Sequence, residues 1–118
     1  MDPLASGAHD LAGHVDRLAQ RLRSLSEVRL ARPLPPHASR ADAAHALAQR
    51  LADASARLEG VPAHPVPRLH DLTVGDQVAV TGHDLVAAAG AADPARAVDV
   101  QALVTEASLA CRELASAL

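Results

Sequence analysis

Hydrophobic positions recur at spacings of three and four over most of this chain, which is the period of an amphipathic α-helix. The clearest series lies at the N-terminal end and comprises Leu4, Ala8, Leu11, Val15, Leu18, Leu22 and Leu25. Asp2 and Pro3 precede it, and an acidic N-cap residue followed by proline is a typical helix start. Pro33 then stops the series, because proline lacks the backbone N–H that a helix needs. The pattern predicts a first helix over about residues 3–31.

Two similar series predict helices over residues 40–59 and 94–117. The earlier one begins after Ser39, has Asp42 in its first turn and ends before Gly60, which is a suitable residue for closing a helix. The later one begins at the dipeptide Asp93-Pro94, a repeat of the N-terminal start signal.

The helix predicted over 94–117 carries one broad apolar face, formed by Val100, Leu103, Val104, Ala107, Ala110, Cys111, Leu114 and Leu118. Its central residues Ala107 and Ala110 are small. If they face the alanines of the helix over 40–59, the axes of these two helices are expected to approach closely. Cys111 lies on the same face. We expect it to pack as a small hydrophobic residue, because nothing near it in sequence lowers the pKa of its thiol.

The stretch from Leu69 to Gly90 is open to two interpretations. As strands, Leu72, Val74, Val78 and Val80 alternate around a Gly-Asp turn, and residues 72–81 would form a hairpin. As a helix over 74–89 capped by Thr73, the stretch places Gly82 on the apolar side, against a neighbouring helix. We favour the helix, since no other segment alternates and an isolated hairpin is marginally stable in water.

These elements predict an all-α fold, an up-down-up-down antiparallel four-helix bundle in which residues 1–118 form a single domain. The alternative is an α+β fold with the short hairpin at 72–81. The proline-rich stretch 61–72 is expected to be extended and to cross the end of the bundle. Arg32 to His37 is expected to be a stiff spacer between the first two helices.

The composition excludes some classes of function. The chain has no Phe, Tyr, Trp, Ile, Asn or Lys, which predicts a bacterial gene of high G+C content. Without aromatic residues it cannot build a stacking platform for single-stranded nucleic acid. Residues 1–70 hold nine arginines and seven acids, and residues 71–118 hold two arginines and seven acids. We expect the two halves to attract one another within the molecule.

Seven histidines and fourteen acidic residues make metal binding worth testing by spacing. The paired His and Glu motifs of zinc and di-iron proteins are absent from the sequence. The weak candidates for a divalent-metal site are two His-Asp dipeptides, His70-Asp71 and His83-Asp84, which would converge only if the preceding loop folded back over the helix.

Further sites have less support in the sequence. No nucleophile motif and no phosphate-binding loop occurs, so we expect neither enzymatic activity nor a cofactor.

The N-terminal region has a basic run whose members are Arg17, Arg21, Arg23, Arg29 and Arg32. Cations favour the last turn of a helix, and the overall pI of about 6.1 argues against nucleic-acid binding. We therefore expect the run to be a solvated helix end with local salt bridges.

The function most consistent with these patterns is a non-enzymatic protein-interaction or oligomerisation module. The alternative is a bundle that binds a small ligand or a divalent metal through its histidines. With one cysteine, no signal sequence and no long apolar run, we expect a cytoplasmic protein that does not bind membranes.

A homodimer is the expected assembly, with an unidentified protein as a second candidate partner. A first helix of residues 3–31 would overhang the bundle and leave Leu4 and Leu11 without an internal partner. On the last helix, Val98 and Leu109 point away from the predicted core. These four residues are the predicted interface.

Overall fold

The computed structural model describes residues 2–118 and contains five α-helices joined by turns and extended segments. They are α1 (Pro3–Arg23), α2 (Glu27–Leu30), α3 (Arg40–Glu59), α4 (Val74–Ala91) and α5 (Ala97–Ala117). Short 3-10 turns at Asp71–Thr73 and Pro94–Arg96 lead into α4 and α5. The part of the chain so described holds no β-strand, only one isolated bridge between Leu34 and His37. The all-α prediction is confirmed, and the hairpin alternative at 72–81 is wrong.

The first helix is shorter than predicted, because it ends at Arg23 instead of continuing to about residue 31. Two serines explain the break. The hydroxyl of Ser24 donates a hydrogen bond to the carbonyl of Arg21 at 2.6 Å, and Ser26 is extended and accepts one from the amide of Arg29 at 3.3 Å. Serine side chains compete with the helix for backbone groups in this way. The chain therefore turns and restarts as α2.

The other helix boundaries follow the predicted signals with one exception. The Ser39 hydroxyl accepts from the amide of Asp42 at 3.0 Å, and Gly60 ends α3 with a φ of 70°. Asp93 accepts from the amide of Ala95 at 2.9 Å, although the first turn after it is 3-10 and α5 begins at Ala97. Thr73 does not cap α4 as predicted, because its hydroxyl donates backwards to the carbonyl of His70 at 2.6 Å.

The helices α1 and α4 run antiparallel and in close contact. Arg23, at the end of α1, pairs with Asp76 in the first turn of α4 at 2.7 Å, and Asp16 accepts from His83 further along at 2.7 Å. Next to the second pair, a Cβ atom placed on Gly82 would lie 2.6 Å from both methyl carbons of Val15. The prediction that Gly82 faces a close helix contact is confirmed.

The proline-rich segment between α3 and α4 runs back along α3. Gln49 donates to the carbonyl of His64 at 3.0 Å and accepts from the amide of Val66 at 2.7 Å, while His45 donates to the Val66 carbonyl at 2.8 Å. Arg68 then reaches Asp42, near the start of α3, at 3.0 Å. The segment therefore does not cross the end of the bundle as predicted.

This return places the start of α4 beside the start of α3, so the two helices run in the same direction. Their far ends are also neighbours, since Arg96, just after α4, donates to the carbonyl of Leu58 at 2.9 Å. The predicted up-down-up-down alternation is wrong at this connection. A connection of this length can return along a helix, whereas a short turn would have forced an antiparallel neighbour.

The four long helices share one aromatic-free core. α4 packs against both α1 and α3, and α5 packs mainly against α1 and only loosely against α3. The largest fully buried side chains are Leu11, Leu18, Leu22, Leu30, Leu51, Leu85, Val15, Val74, Val78, Val100, Val104 and Cys111.

The close contact of α1 and α4 generates a first prediction. We expect Gly82→Ala to lower the free energy of unfolding by about 1–3 kcal/mol, because Val15 must move to admit the new methyl group. Gly90→Ala, in the same helix but with no other atom within 4 Å of the added Cβ, should be neutral or stabilising by up to about 1 kcal/mol. Urea denaturation measures both, and equal values for the two variants would contradict the close contact.

The hydrogen bonds of Gln49 generate a second prediction. Gln49→Ala leaves the carbonyl of His64 and the amide of Val66 without these side-chain partners, and should lower the free energy of unfolding by about 1–3 kcal/mol. Gln20→Ala, at an exposed position of α1, is the matched control and should stay within about 0.5 kcal/mol of the wild type. A Gln49 variant as stable as the Gln20 variant would show that these bonds do not hold the segment.

Candidate functional site

The candidate site is an open groove between α3 and α5, here called the α3/α5 groove. It consists of two adjoining depressions of about 250 and 340 Å³ that share Leu47, Arg50 and Ala110. Its floor is apolar and built largely from small side chains, namely Ala43, Leu47, Leu51, Ala54, Ala107, Ala110 and Leu114. The loop before α3 closes one end with Leu34, Pro35 and His37.

The two rims of the groove differ in net charge, because Asp53 on the α3 rim offsets only one of its two arginines, whereas both charged residues of the α5 rim are acidic. Arg50 and Arg57 line it from α3, and Glu106 and Glu113 line it from α5. Each pair is separated by seven residues, so its members lie two turns apart on the same face of their helix. Arg50 and Glu106 approach across the groove, with their nearest nitrogen and oxygen atoms 3.9 Å apart. Both side chains are mostly exposed, so this pair contributes at most about 1 kcal/mol to stability.

The groove is open because of side-chain size and chain direction. Alanines at 54, 107 and 110 leave space between the helices, and no segment of the described chain lies over them. The proline-rich segment covers a different face of α3, the face of His45 and Gln49. The close approach predicted for these alanines is therefore not observed. Ala107 and Ala110 are nevertheless buried, so the accessible apolar area of the groove comes mainly from the half-buried Ala54, Leu103 and Leu114.

A second apolar surface lies where the proline-rich segment meets α4, and we call it the α4 patch. It is a shallow depression of about 300 Å³ lined by Val66, Pro67, Leu69, Thr73 and Val80, among others. Val80 is 62% exposed and Leu69 is 53% exposed. The fold thus brings Val80 of α4 beside apolar residues of the proline-rich segment.

The two His-Asp dipeptides are not brought together. His70 lies 3.7 Å from Glu27 and accepts from the amide of Leu72, while Asp71 pairs with Arg68 at 2.7 Å. Among residues 2–118 no group of three or more His, Cys, Asp or Glu side chains is arranged to hold a metal ion.

The other dipeptide lies on α4. His83 donates to Asp16 of α1 at 2.7 Å, and Asp84 beside it is exposed. Each imidazole thus already has its own carboxylate on a neighbouring element. The geometry gives the metal site predicted at His70, Asp71, His83 and Asp84 no support.

The predicted interface is divided between buried and exposed positions. Leu11 is fully buried in the core, and Leu4 is half-buried and packs against it. Because α1 ends at Arg23, its 21 residues span about 32 Å, and the predicted overhang does not occur. Val98 and Leu109 are exposed as predicted, at 84% and 46%. The prediction is wrong for Leu11, which cannot contact a partner without leaving the core.

The basic run at the end of α1 has mixed surroundings. Arg23 pairs with Asp76, and Arg17 donates to His14 at 3.1 Å. Burial and the nearby cations Arg17 and Arg112 lower the pKa of His14. The remaining members Arg21, Arg29 and Arg32 are exposed.

The predicted attraction between the two halves of the chain is seen in three ion pairs: Arg23–Asp76, Arg50–Glu106 and Arg68–Asp71.

Sequence reasoning missed the arginine rim of the groove. Glu106 and Glu113 share a helix phase outside the apolar face, and Arg50 and Arg57 have the same spacing on α3. A basic pair on one helix and an acidic pair on another, with the same seven-residue spacing and each beside a row of alanines, is the sequence signal that indicates the α3/α5 groove.

Comparisons with protein-family models, curated proteins and solved structures gave no match to this chain. Within the described residues, no helix has both the length and the hydropathy needed to cross a membrane.

The buried thiol of Cys111 generates a third prediction. Burial raises its pKa to about 11, and the residue packs in the core as the sequence predicted. We expect no reaction with a disulfide reagent such as DTNB at pH 8 in the folded protein, and full reaction in denaturant, because the thiolate is the reactive form. A variant with Cys111→Ala and Ala102→Cys, which moves the thiol to an exposed position of α5, should react at once. Rapid reaction of the native thiol would contradict its burial.

Proposed function

We propose that this protein is a non-enzymatic interaction module and that its α3/α5 groove binds a helical surface of another polypeptide chain. The observation that carries the proposal is the groove itself, an open depression with an apolar lining that is bordered by charged side chains. Amphipathic helices bind grooves of this kind by inserting apolar side chains at positions i, i+3, i+4 and i+7.

The dimensions of the groove favour a macromolecular partner. The two depressions adjoin at shared residues and together extend along both helices, from the loop before α3 to Arg57 near its end. A small molecule would remain largely exposed in so open a surface, whereas binding sites for small ligands bury most of the ligand. Alanines on the floor leave space for the larger side chains of a partner helix.

The charges along the groove would contribute specificity more than affinity. Rim charges that remain exposed add little binding energy, but they select the orientation and identity of a partner. A partner helix would have to present acidic groups to Arg50 and Arg57 and basic groups to Glu106 and Glu113. We also propose that the module acts in the cytoplasm, which is consistent with a single cysteine held as a free, buried thiol.

A cross-linking experiment tests the groove directly. The photoreactive residue p-benzoylphenylalanine replaces Ala54 on the groove floor in one variant and the exposed Gln20 of α1 in a control, in the full-length chain expressed in its native host. We expect irradiation to give a covalent adduct with a polypeptide from position 54 and not from position 20.

Two results would contradict the proposed function. One is the absence of any polypeptide adduct from position 54, and the other is an equal yield of adducts from both positions. Thermal stabilisation by a divalent ion that is lost in His70→Ala or His83→Ala would instead support a metal-binding role.

A further inference from the structure

We infer that the partner bound by the α3/α5 groove is a second copy of this chain, related to the first by a two-fold axis that runs parallel to the helices. The inference rests on the proposed function and specifies its partner. It follows from the charges on the two rims and from the directions of the two helices.

The helices α3 and α5 run antiparallel. Arg57, near the end of α3, lines the groove with Leu103 near the start of α5, and Ala43, near the start of α3, lines it with Ala117 at the end of α5. Arg50 and Glu106 lie at the same height between these ends, 3.9 Å apart. The groove therefore has a negative α5 wall and an α3 wall of net positive charge, and Arg50 and Glu106 lie at the same position along the helix axes.

This arrangement is complementary to itself in one orientation. A two-fold axis parallel to the helices places α3 of one copy opposite α5 of the other. It leaves the position of every residue along the helix axis unchanged. Arg50 of each copy then faces Glu106 of its mate, and the contact occurs twice. A two-fold axis perpendicular to the helices and lying in the interface would place α3 opposite α3, with arginine facing arginine. Like charges in an interface are unfavourable, so the parallel axis is selected.

The apolar surface between the charges fits the same arrangement. Leu103 and Leu114 on α5 are half-buried in the single chain, as is Ala54 on α3. Two copies of α3 and α5 would form a second four-helix layer in which these side chains pack between the helices. Asp53 also lines the groove beside Arg50, and its carboxylate accepts a hydrogen bond from Gln49 at 2.9 Å. That bond does not neutralise the carboxylate, so Asp53 offsets one of the two arginines of the α3 wall, and the complementary contact with the mate is carried by Arg50 and Glu106.

Charge reversal tests the inference in purified full-length protein by sedimentation equilibrium. We expect the wild type to dimerise reversibly, and we expect Arg50→Glu and Glu106→Arg each to raise the dimer Kd about tenfold or more, because each creates two repulsive contacts. An equimolar mixture of the two variants should restore association, since every contact between unlike copies is again attractive. The chain that carries both changes should also dimerise as the wild type does.

The mixture separates the interface from folding. Both single variants lose the pair between Arg50 and Glu106 within the chain, and mixing cannot restore that pair. Val98→Asp is the matched control for the outer face of α5, and it should leave the Kd unchanged.

Three results would overturn the inference. They are a wild type that remains monomeric up to about 1 mM, charge variants that dimerise like the wild type, and a mixture that associates no better than its components. A monomeric wild type whose position 54 cross-links to a different protein would overturn the second copy as partner and leave the proposed function standing. An absence of all cross-links at position 54 would remove both.

Discussion

The hydrogen bonds between α3 and the proline-rich segment after it determine the arrangement of the other helices. Three prolines of the segment cannot donate a backbone hydrogen bond, and the side chains of His45 and Gln49 supply most of its hydrogen bonds with α3. Gln77 of α4 adds one more, donating to the carbonyl of Pro67 at 2.8 Å. Because the segment returns along α3, α4 must start where α3 starts. The helix that follows, α5, is then left beside α1, with α3 only loosely covered.

A second constraint acts between α1 and α4. A Cβ atom on Gly75 would lie 2.9 Å from the Cγ of Arg23 and 3.1 Å from the carbonyl oxygen of Ala19, and one on Gly82 would overlap Val15. These glycines are seven residues apart and lie on one face of α4, so the two helix backbones can approach along two turns. Such close packing partly offsets the lack of aromatic residues, since the buried apolar side chains of residues 2–118 are Leu, Val, Ala and Cys.

Much of the local structure can be predicted from the sequence, but little of the order and direction in which the helices pack. Helical periodicity and capping residues predict α3, α4 and α5 to within a few residues, and the phase of α4 correctly places Gly82 in the core. The break at Ser24 is not visible in the pattern, because Leu25 continues the apolar series while being buried in the turn instead. Prolines predict that residues 61–72 are extended, but the direction of that segment depends on Gln49, which reads in sequence as an ordinary polar helix residue.

The same limit explains why the groove could be predicted only in part. Rows of alanine on two helices predict either tight packing between them or a gap, and the outcome depends on which helices are neighbours and how firmly they are held. Here α5 is held by α1, so the alanines of α3 and α5 border a gap. The charges at the edges of that gap retain the seven-residue spacing of a helix face. A surface that is uncharged on its floor and oppositely charged on its two rims is complementary to a copy of itself. For that reason the interface that we propose is the groove and not the scattered exposed residues Val98 and Leu109.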